Sequence, residues 1–155
     1  MPTVSNSSPL IALVAIGRLE LLPALFQSVS IPPAVAIESA PRIRDWPEWL
    51  QVQPLPQPVP ESGLVPSLGR GERETLSLGL ELHAELLILD DRPARRLAQA
   101  FGLRVTGTLG VLLAAKRRGF VDRVQPSLDA LRKHGFFMSP KLYDQVLQLA
   151  DEAQL

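Results

Sequence analysis

Five residues from four separated stretches of the chain could carry chemistry: Asn6, Glu38, Glu72 and the adjacent Asp90 and Asp91. Asn6 follows a short strand candidate, and Asp90-Asp91 close the most apolar stretch, Leu86 to Leu89. Glu38 lies in a helix after a second strand, and Glu72 opens a helix after a proline-rich stretch. In open parallel sheets, ligands gather at the carboxyl ends of strands, so these oxygens are expected on one rim. Crowded carboxylates stay ionised together only when a cation offsets their repulsion. Oxygen donors without histidine or cysteine suit Mg²⁺ or Mn²⁺. Such ions polarise a phosphoryl oxygen and lower the pKa of bound water, which is the chemistry of phosphodiester hydrolysis. Taken singly, each residue also has an ordinary role. Asp91, before Arg92-Pro93, would cap a helix, and Glu72 would favour a helix N-terminus. Asn6 would support a turn, and Glu38 would be a solvated charge. Their shared place in the strand-helix order is what argues for a site.

The elements that must position them alternate between short apolar strands and longer amphipathic stretches. Strands are expected at Thr3 to Ser5, Ser28 to Ile31, Leu50 to Gln53, Leu86 to Leu89 and Arg104 to Thr106. A first helix, capped by Ser7 or Ser8 with Pro9 in its first turn, stops at Gly17. Further helices are expected over Leu19 to Phe26, Val35 to Ser39, Gly71 to His83, Arg92 to Phe101, Leu109 to Arg118, Asp122 to His134 and Pro140 to Ala153. Leu76, Leu80 and His83 share one face of the Gly71 to His83 helix, and Leu142, Val146, Leu149 and Ala153 one face of the last. The wholly apolar Leu86 to Leu89 run reads as a strand buried on both faces. The class is α/β, a parallel sheet covered by helices on both sides.

The chain has 155 residues, 46% of them hydrophobic and 21% charged, which excludes a disordered chain and gives one domain. Sixteen basic residues balance sixteen acidic ones, so nucleic-acid contact must come from a local patch. The absence of cysteine excludes disulfides, thiolate zinc sites and cysteine nucleophiles, and fits a reducing cytoplasm. The early apolar run Pro9 to Ile16 is far short of the roughly 20 residues a membrane helix needs. It also lacks the preceding basic region of a signal peptide. A cytoplasmic protein without membrane contact is expected. Pro54, Pro56, Pro58, Pro60 and Pro66 forbid regular structure and read as a surface loop at about 54–69 inside one domain.

With these elements in place, the chain resembles a known family. Val4-Ser5-Asn6-Ser7-Ser8-Pro9-Leu10-Ile11, Ile31-Pro32-Pro33-Ala34-Val35-Ala36-Ile37-Glu38, Gly71-Glu72-Arg73-Glu74 and Leu89-Asp90-Asp91-Arg92-Pro93-Ala94-Arg95-Arg96 recur in this order in PIN-like domains. Val105-Thr106-Gly107-Thr108-Leu109-Gly110 and Ala115-Lys116-Arg117-Arg118-Gly119 also suit the prokaryotic branch related to VapC-type toxin ribonucleases. The likeness runs from about Val4 to Asp151. It implies a single domain over 1–155, a three-layer α/β/α fold around a mainly parallel sheet of about five strands. It implies Mg²⁺ or Mn²⁺ held by Asn6, Glu38, Glu72, Asp90 and Asp91, with the four acids catalytic. Asp91 is expected to turn into the site, with Asp90 bracing it or sharing the ion. PIN nucleases usually have Asp where this chain has Asn6; the amide oxygen can still ligate Mg²⁺ but removes one negative charge. Activity is expected to be weakened accordingly.

The resemblance further implies an RNA substrate, a small antitoxin protein as partner and a homodimer. Ser7, Ser8 and Thr108, with Arg92, Arg95 and Arg96 in the first turns after Asp90-Asp91, are the expected substrate contacts. Lys116, Arg117 and Arg118 read first as a solvated helix end, and Phe136-Phe137 as an anchor for the last helix. His83 and His134 have no partner at metal-ligand spacing. Receiver-domain, dehalogenase-like, dinucleotide-binding and Walker patterns are missing. The rival from another class is a catalytically impaired PIN-like module that binds RNA or a protein partner. Convergence of Glu38, Glu72 and Asp91 to within about 2.0–2.6 Å of a common ion favours the nuclease; a Glu72 or Glu38 that points to solvent favours the module.

Overall fold

A computed structural model describes residues 2–57 and 68–153. Five short strands, β1 (Thr3–Ser5), β2 (Val29–Ile31), β3 (Leu50–Val52), β4 (Leu86–Ile88) and β5 (Val105–Thr106), form one sheet in the order β3-β2-β1-β4-β5. Every pairing is parallel. Connections between parallel neighbours require crossovers, and eight helices occur among the described residues: α1 (Ser7–Ala15), α2 (Leu21–Phe26), α3 (Pro33–Ser39), α4 (Arg70–Glu81), α5 (Arg92–Ala100), α6 (Thr108–Arg117), α7 (Gln125–Lys133) and α8 (Pro140–Leu149). The expected order of elements is the observed one. Pro58, Pro60 and Pro66 of the expected loop lie outside the described residues; Pro54 and Pro56 follow β3 without regular structure.

The sheet has a core on each face. Ile88, Val29 and Ile31 point into the larger one, with Leu10, Leu22, Leu112, Leu128 and Val146 from α1, α2, α6, α7 and α8. Val4, Leu87 and Leu89 point into the smaller one, against Leu76 and Leu78 of α4 and Ala94 and Ala98 of α5. Leu87 and Ile88 therefore face opposite ways, as strand alternation demands, and the wholly apolar β4 is explained by burial on both sides. No helix among the described residues is long and apolar enough to cross a membrane.

Two helix faces differ from expectation. On α4, Leu80 is 41% exposed and His83 is exposed; the buried side is Gly71, Glu74, Thr75, Leu76, Leu78 and Gly79. Gly79 decides the rotation: a Cβ there would lie 2.8 Å from Leu87 Cδ1, so its bare backbone sets α4 directly on β4. On α8, Leu149 is 63% exposed, Leu142 is exposed and Ala153 lies beyond the helix. Val146 is buried as expected, but its buried neighbours are Leu147 and Ala150. Phe136 packs on the core, whereas Phe137 is 89% exposed.

The segment after α8 is tied down by Glu152. Val124, at the N-cap of α7, offers no capping side chain. Glu152 accepts from the amides of Val124 (2.7 Å) and Gln125 (3.1 Å) and pairs with Lys116 Nζ at 2.9 Å. Lys116 also donates to Ala150 O, so it is a structural cation and no free part of a basic patch. Burial alone would push the Glu152 carboxyl up, but the Val124 amide, Lys116 and the Gln125 amide outweigh it and hold the pKa below its ordinary value. Its contribution is therefore complete above the unfolded carboxylate pKa and lost as pH falls through the lower folded value. Glu152→Ala is expected to lower the unfolding free energy by about 2–3 kcal/mol at neutral pH. In urea titrations that difference should shrink in acid; a constant difference would contradict the capping role.

Candidate functional site

β1 delivers Asn6 to the rim. Its backbone N–H donates to Ile88 O at 3.0 Å, one residue beyond the β1–β4 pairing, and α1 begins immediately afterwards. Asn6 occupies the N-cap position of α1, where an Asn side chain ordinarily accepts from the amides of the first turn. It makes no such bond. The residue is 1% exposed, and among the described residues Oδ1 has no hydrogen-bond partner. Leaving a buried acceptor unpaired costs about 1–3 kcal/mol, so the oxygen needs a reason to be there.

That oxygen looks toward Glu38 across Gly71. A Cβ built on Gly71 would lie 3.2 Å from Asn6 Oδ1 and would collide with Glu38 Oε1. The Glu38 carboxylate head occupies the space a side chain at position 71 would fill, so any larger residue there must displace it. The other Glu38 oxygen accepts from Ser7 Oγ at 3.2 Å. Although Glu38 is an exposed residue overall, partial burial raises its pKa; the Ser7 hydroxyl opposes this, and the nearby charges of Glu72 and Glu74 add to it. Asn6, Ser7, Glu38 and Gly71 thus form one cluster from α1, α3 and α4, in an electrostatic setting that favours a cation.

The remaining expected ligands are placed differently. Glu72, half-buried in the first turn of α4, turns its carboxylate back toward Gly69, where a Cβ would lie 2.8 Å from Oε2. Asp91 was expected to face the site, but it is exposed and caps α5, accepting from the Ala94 amide at 3.0 Å. Asp90 accepts from the Thr108 amide (2.8 Å) and the Thr108 hydroxyl (2.6 Å), anchoring the start of α6. Thr108, expected among the substrate contacts, is fully buried with amide and hydroxyl both on Asp90. Asp90 and Asp91 share a cause: parallel strands lead straight into helices, and unsatisfied first-turn amides attract nearby carboxylates. Among the described residues, no three acidic or histidine side chains stand close enough to hold a metal ion.

Arg92 and Arg96 are exposed, while half-buried Arg95 donates to Leu89 O at 3.4 Å. Ser8 is exposed next to the buried Ser7. Nothing in their own stretch of sequence singles out Glu74 or Gly71 as neighbours of the candidate site. The signal for Glu74 was the Pro32-Pro33 helix start, which supplies no capping side chain and so requires an acceptor from elsewhere.

A hard divalent cation fits the chemistry of this donor set. Mg²⁺ keeps several waters and needs only one or two protein carboxylates, and an orphaned amide oxygen beside a carboxylate offers two oxygens free of strong competing donors.

The family model described as DUF3368: PIN domain matches residues 2–152. Among solved structures, a PilT N-terminus domain protein, SSO1118, from the hyperthermophilic archaeon Sulfolobus solfataricus P2 is similar in fold. It shares 20% identity and a TM-score of 0.53, over 74% of this chain and 93% of that one. No curated protein matches the chain.

The Gly71 contact can be tested directly. Gly71→Ala is expected to keep its unfolding free energy within about 1 kcal/mol of wild type, because the gain in helix propensity offsets displacement of a flexible carboxylate. The Glu38 carboxyl ¹³C resonance should nevertheless shift. An unmoved resonance would show that the carboxylate does not rest on Gly71.

Proposed function

Because the chain belongs to the DUF3368 family of PIN domains, a fold whose members are generally nucleases, we propose that it is a metal-dependent endoribonuclease. The observation that carries this reading is the unpartnered, buried Asn6 Oδ1 beside the Glu38 carboxylate. Asn6 and Glu38 would hold Mg²⁺ or Mn²⁺, with Glu72 close enough to add negative potential. Asp90 and Asp91 follow β4 at the carboxyl edge of the sheet, and among the described residues the second oxygen of Asp91 accepts no hydrogen bond. Once bound, the ion supplies polarisation of a phosphoryl oxygen and a water of lowered pKa.

The chain's own residues do the rest. Ser7 orients Glu38 through its hydroxyl. Ser8, Arg92 and Arg96 are exposed near the rim and free to meet phosphate oxygens, while Arg95 reaches it from a half-buried position. Asn6 lowers the charge of the site by one relative to aspartate, which weakens its grip on a cation and slows the reaction. The VapC-like motifs support a further assignment as the toxin of a toxin–antitoxin pair, cytoplasmic, homodimeric and neutralised by a small antitoxin protein. Exposed Phe137 and Leu149 are apolar surface that such a partner would cover.

One observation favours the second reading, a catalytically impaired module that binds RNA or protein: among the described residues the acids form no three-member group, and Asp90 and Asp91 serve helix starts. A mixed structured RNA pool incubated with Mn²⁺, Mg²⁺ or EDTA separates the two. The nuclease predicts metal-dependent cutting that falls by more than about 100-fold in Glu38→Gln, beyond what outer-shell changes typically cost, and rises in Asn6→Asp. Asp91→Asn keeps a good helix cap, so lost cutting would assign Asp91 to the chemistry. Folded wild type and Asn6→Asp that both leave RNA intact would favour the binding module.

A further inference from the structure

α3, which carries Glu38, begins on two prolines and cannot cap itself. Pro32 at the N-cap offers no side-chain oxygen, and Pro33 has no N–H, so Ala34 presents the first helical amide in need of an acceptor. Glu74 supplies it from α4. Its Oε1 accepts from the Ala34 amide at 2.9 Å, and its Oε2 accepts from Arg70 Nε at 2.9 Å. Both Glu74 and Ala34 are buried, at 6% and 5% exposure, so this bond lies inside the α3–α4 contact.

Helical spacing links the cap to the site. Ala34 and Glu38 lie one turn apart on the same face of α3, and Gly71 and Glu74 lie three residues apart on the same face of α4. The two helices therefore meet at two rungs, Glu74 against Ala34 and Gly71 against Glu38. Securing the first rung sets the distance and rotation of α3 at the second.

Resting on the metal-binding reading above, we infer that Glu74 is a positioning residue. By capping α3 it holds the Glu38 carboxylate over Gly71 and beside Asn6, where a divalent cation would be gripped. It acts through Ala34 and α3, not by touching ion or RNA.

The test uses the full chain as wild type, Glu74→Ala and Glu74→Gln. Thermal unfolding establishes folding, Mn²⁺ affinity is read from the electron paramagnetic resonance signal of free Mn²⁺, and the Glu38 carboxyl ¹³C resonance is followed without metal. Glu74→Ala should weaken Mn²⁺ binding by about tenfold or more, as loss of a supporting partner does, and should move the Glu38 resonance. Glu74→Gln retains an oxygen for the Ala34 amide and should restore both, although its pair with Arg70 is gone. A purely structural role would not produce that recovery. Folded Glu74→Ala with wild-type affinity and an unmoved Glu38 resonance overturns the inference, as does Glu74→Gln behaving like the alanine variant. Should Glu74→Ala fail to fold, Glu74→Gln decides: wild-type affinity and resonance sustain the inference, and their loss overturns it. Wild type that binds no Mn²⁺ overturns the metal reading; the Glu38 resonance in the two variants then decides the positioning role by itself.

Discussion

The close approach of α3 to α4 at Gly71 governs where the oxygens of the site come to rest. Any side chain at position 71 would occupy the space that Glu38 Oε1 fills, and would crowd Asn6 Oδ1 at 3.2 Å. Asn6 itself has little freedom, because its amide continues the β1–β4 pairing by bonding Ile88 O. A backbone anchored in the sheet, a helix approaching without a side chain and a second helix bearing a carboxylate thus converge on one point. The buried amide oxygen, without a donor among the described residues, is the energetic cost of that arrangement. Its retention is understandable when the same oxygen has a ligand to meet.

Carboxylates have a second use throughout this fold, the satisfaction of helix N-termini. Asp91 caps its own helix α5, Asp90 secures the Thr108 amide at the start of α6, Glu74 serves α3 and Glu152 serves α7. Three of the four reach across to a helix other than the one they adjoin in sequence. Short strands running straight into helices create many first-turn amides near the sheet rim, and acids drawn to those amides are drawn toward the site as well. Structural caps and candidate ligands therefore share one neighbourhood, which explains why Asp90 and Asp91 are near the rim yet already hydrogen-bonded.

The order and parallel pairing of the elements were legible because apolar runs, prolines and stop glycines punctuate the chain at strand and helix ends. Gly17 and Gly102, both at positive φ, end their helices as read. The buried side of α4 was not legible, since spacing permits more than one apolar stripe and only the contact of Gly79 with Leu87 selects the rotation. On α8 the same ambiguity exchanged Leu149 for Leu147. Within the candidate site, the positions of Asn6 and Glu38 followed from their places after strands, but Asp90 and Asp91 could not be told apart by adjacency. Glu74 was hidden for a different reason: its partner Ala34 is forty residues away, and only the packed fold brings the uncapped proline start of α3 against it.

The most direct measurement is a crystal structure of the wild-type protein grown with Mn²⁺, with anomalous scattering recorded at the manganese edge. An anomalous peak liganded by Asn6 Oδ1 and a Glu38 carboxylate oxygen is expected, with Ser7 still bonded to Glu38. A peak at Asp90 and Asp91 that leaves Asn6 Oδ1 without a ligand, or no peak on this rim at saturating Mn²⁺, would contradict that assignment.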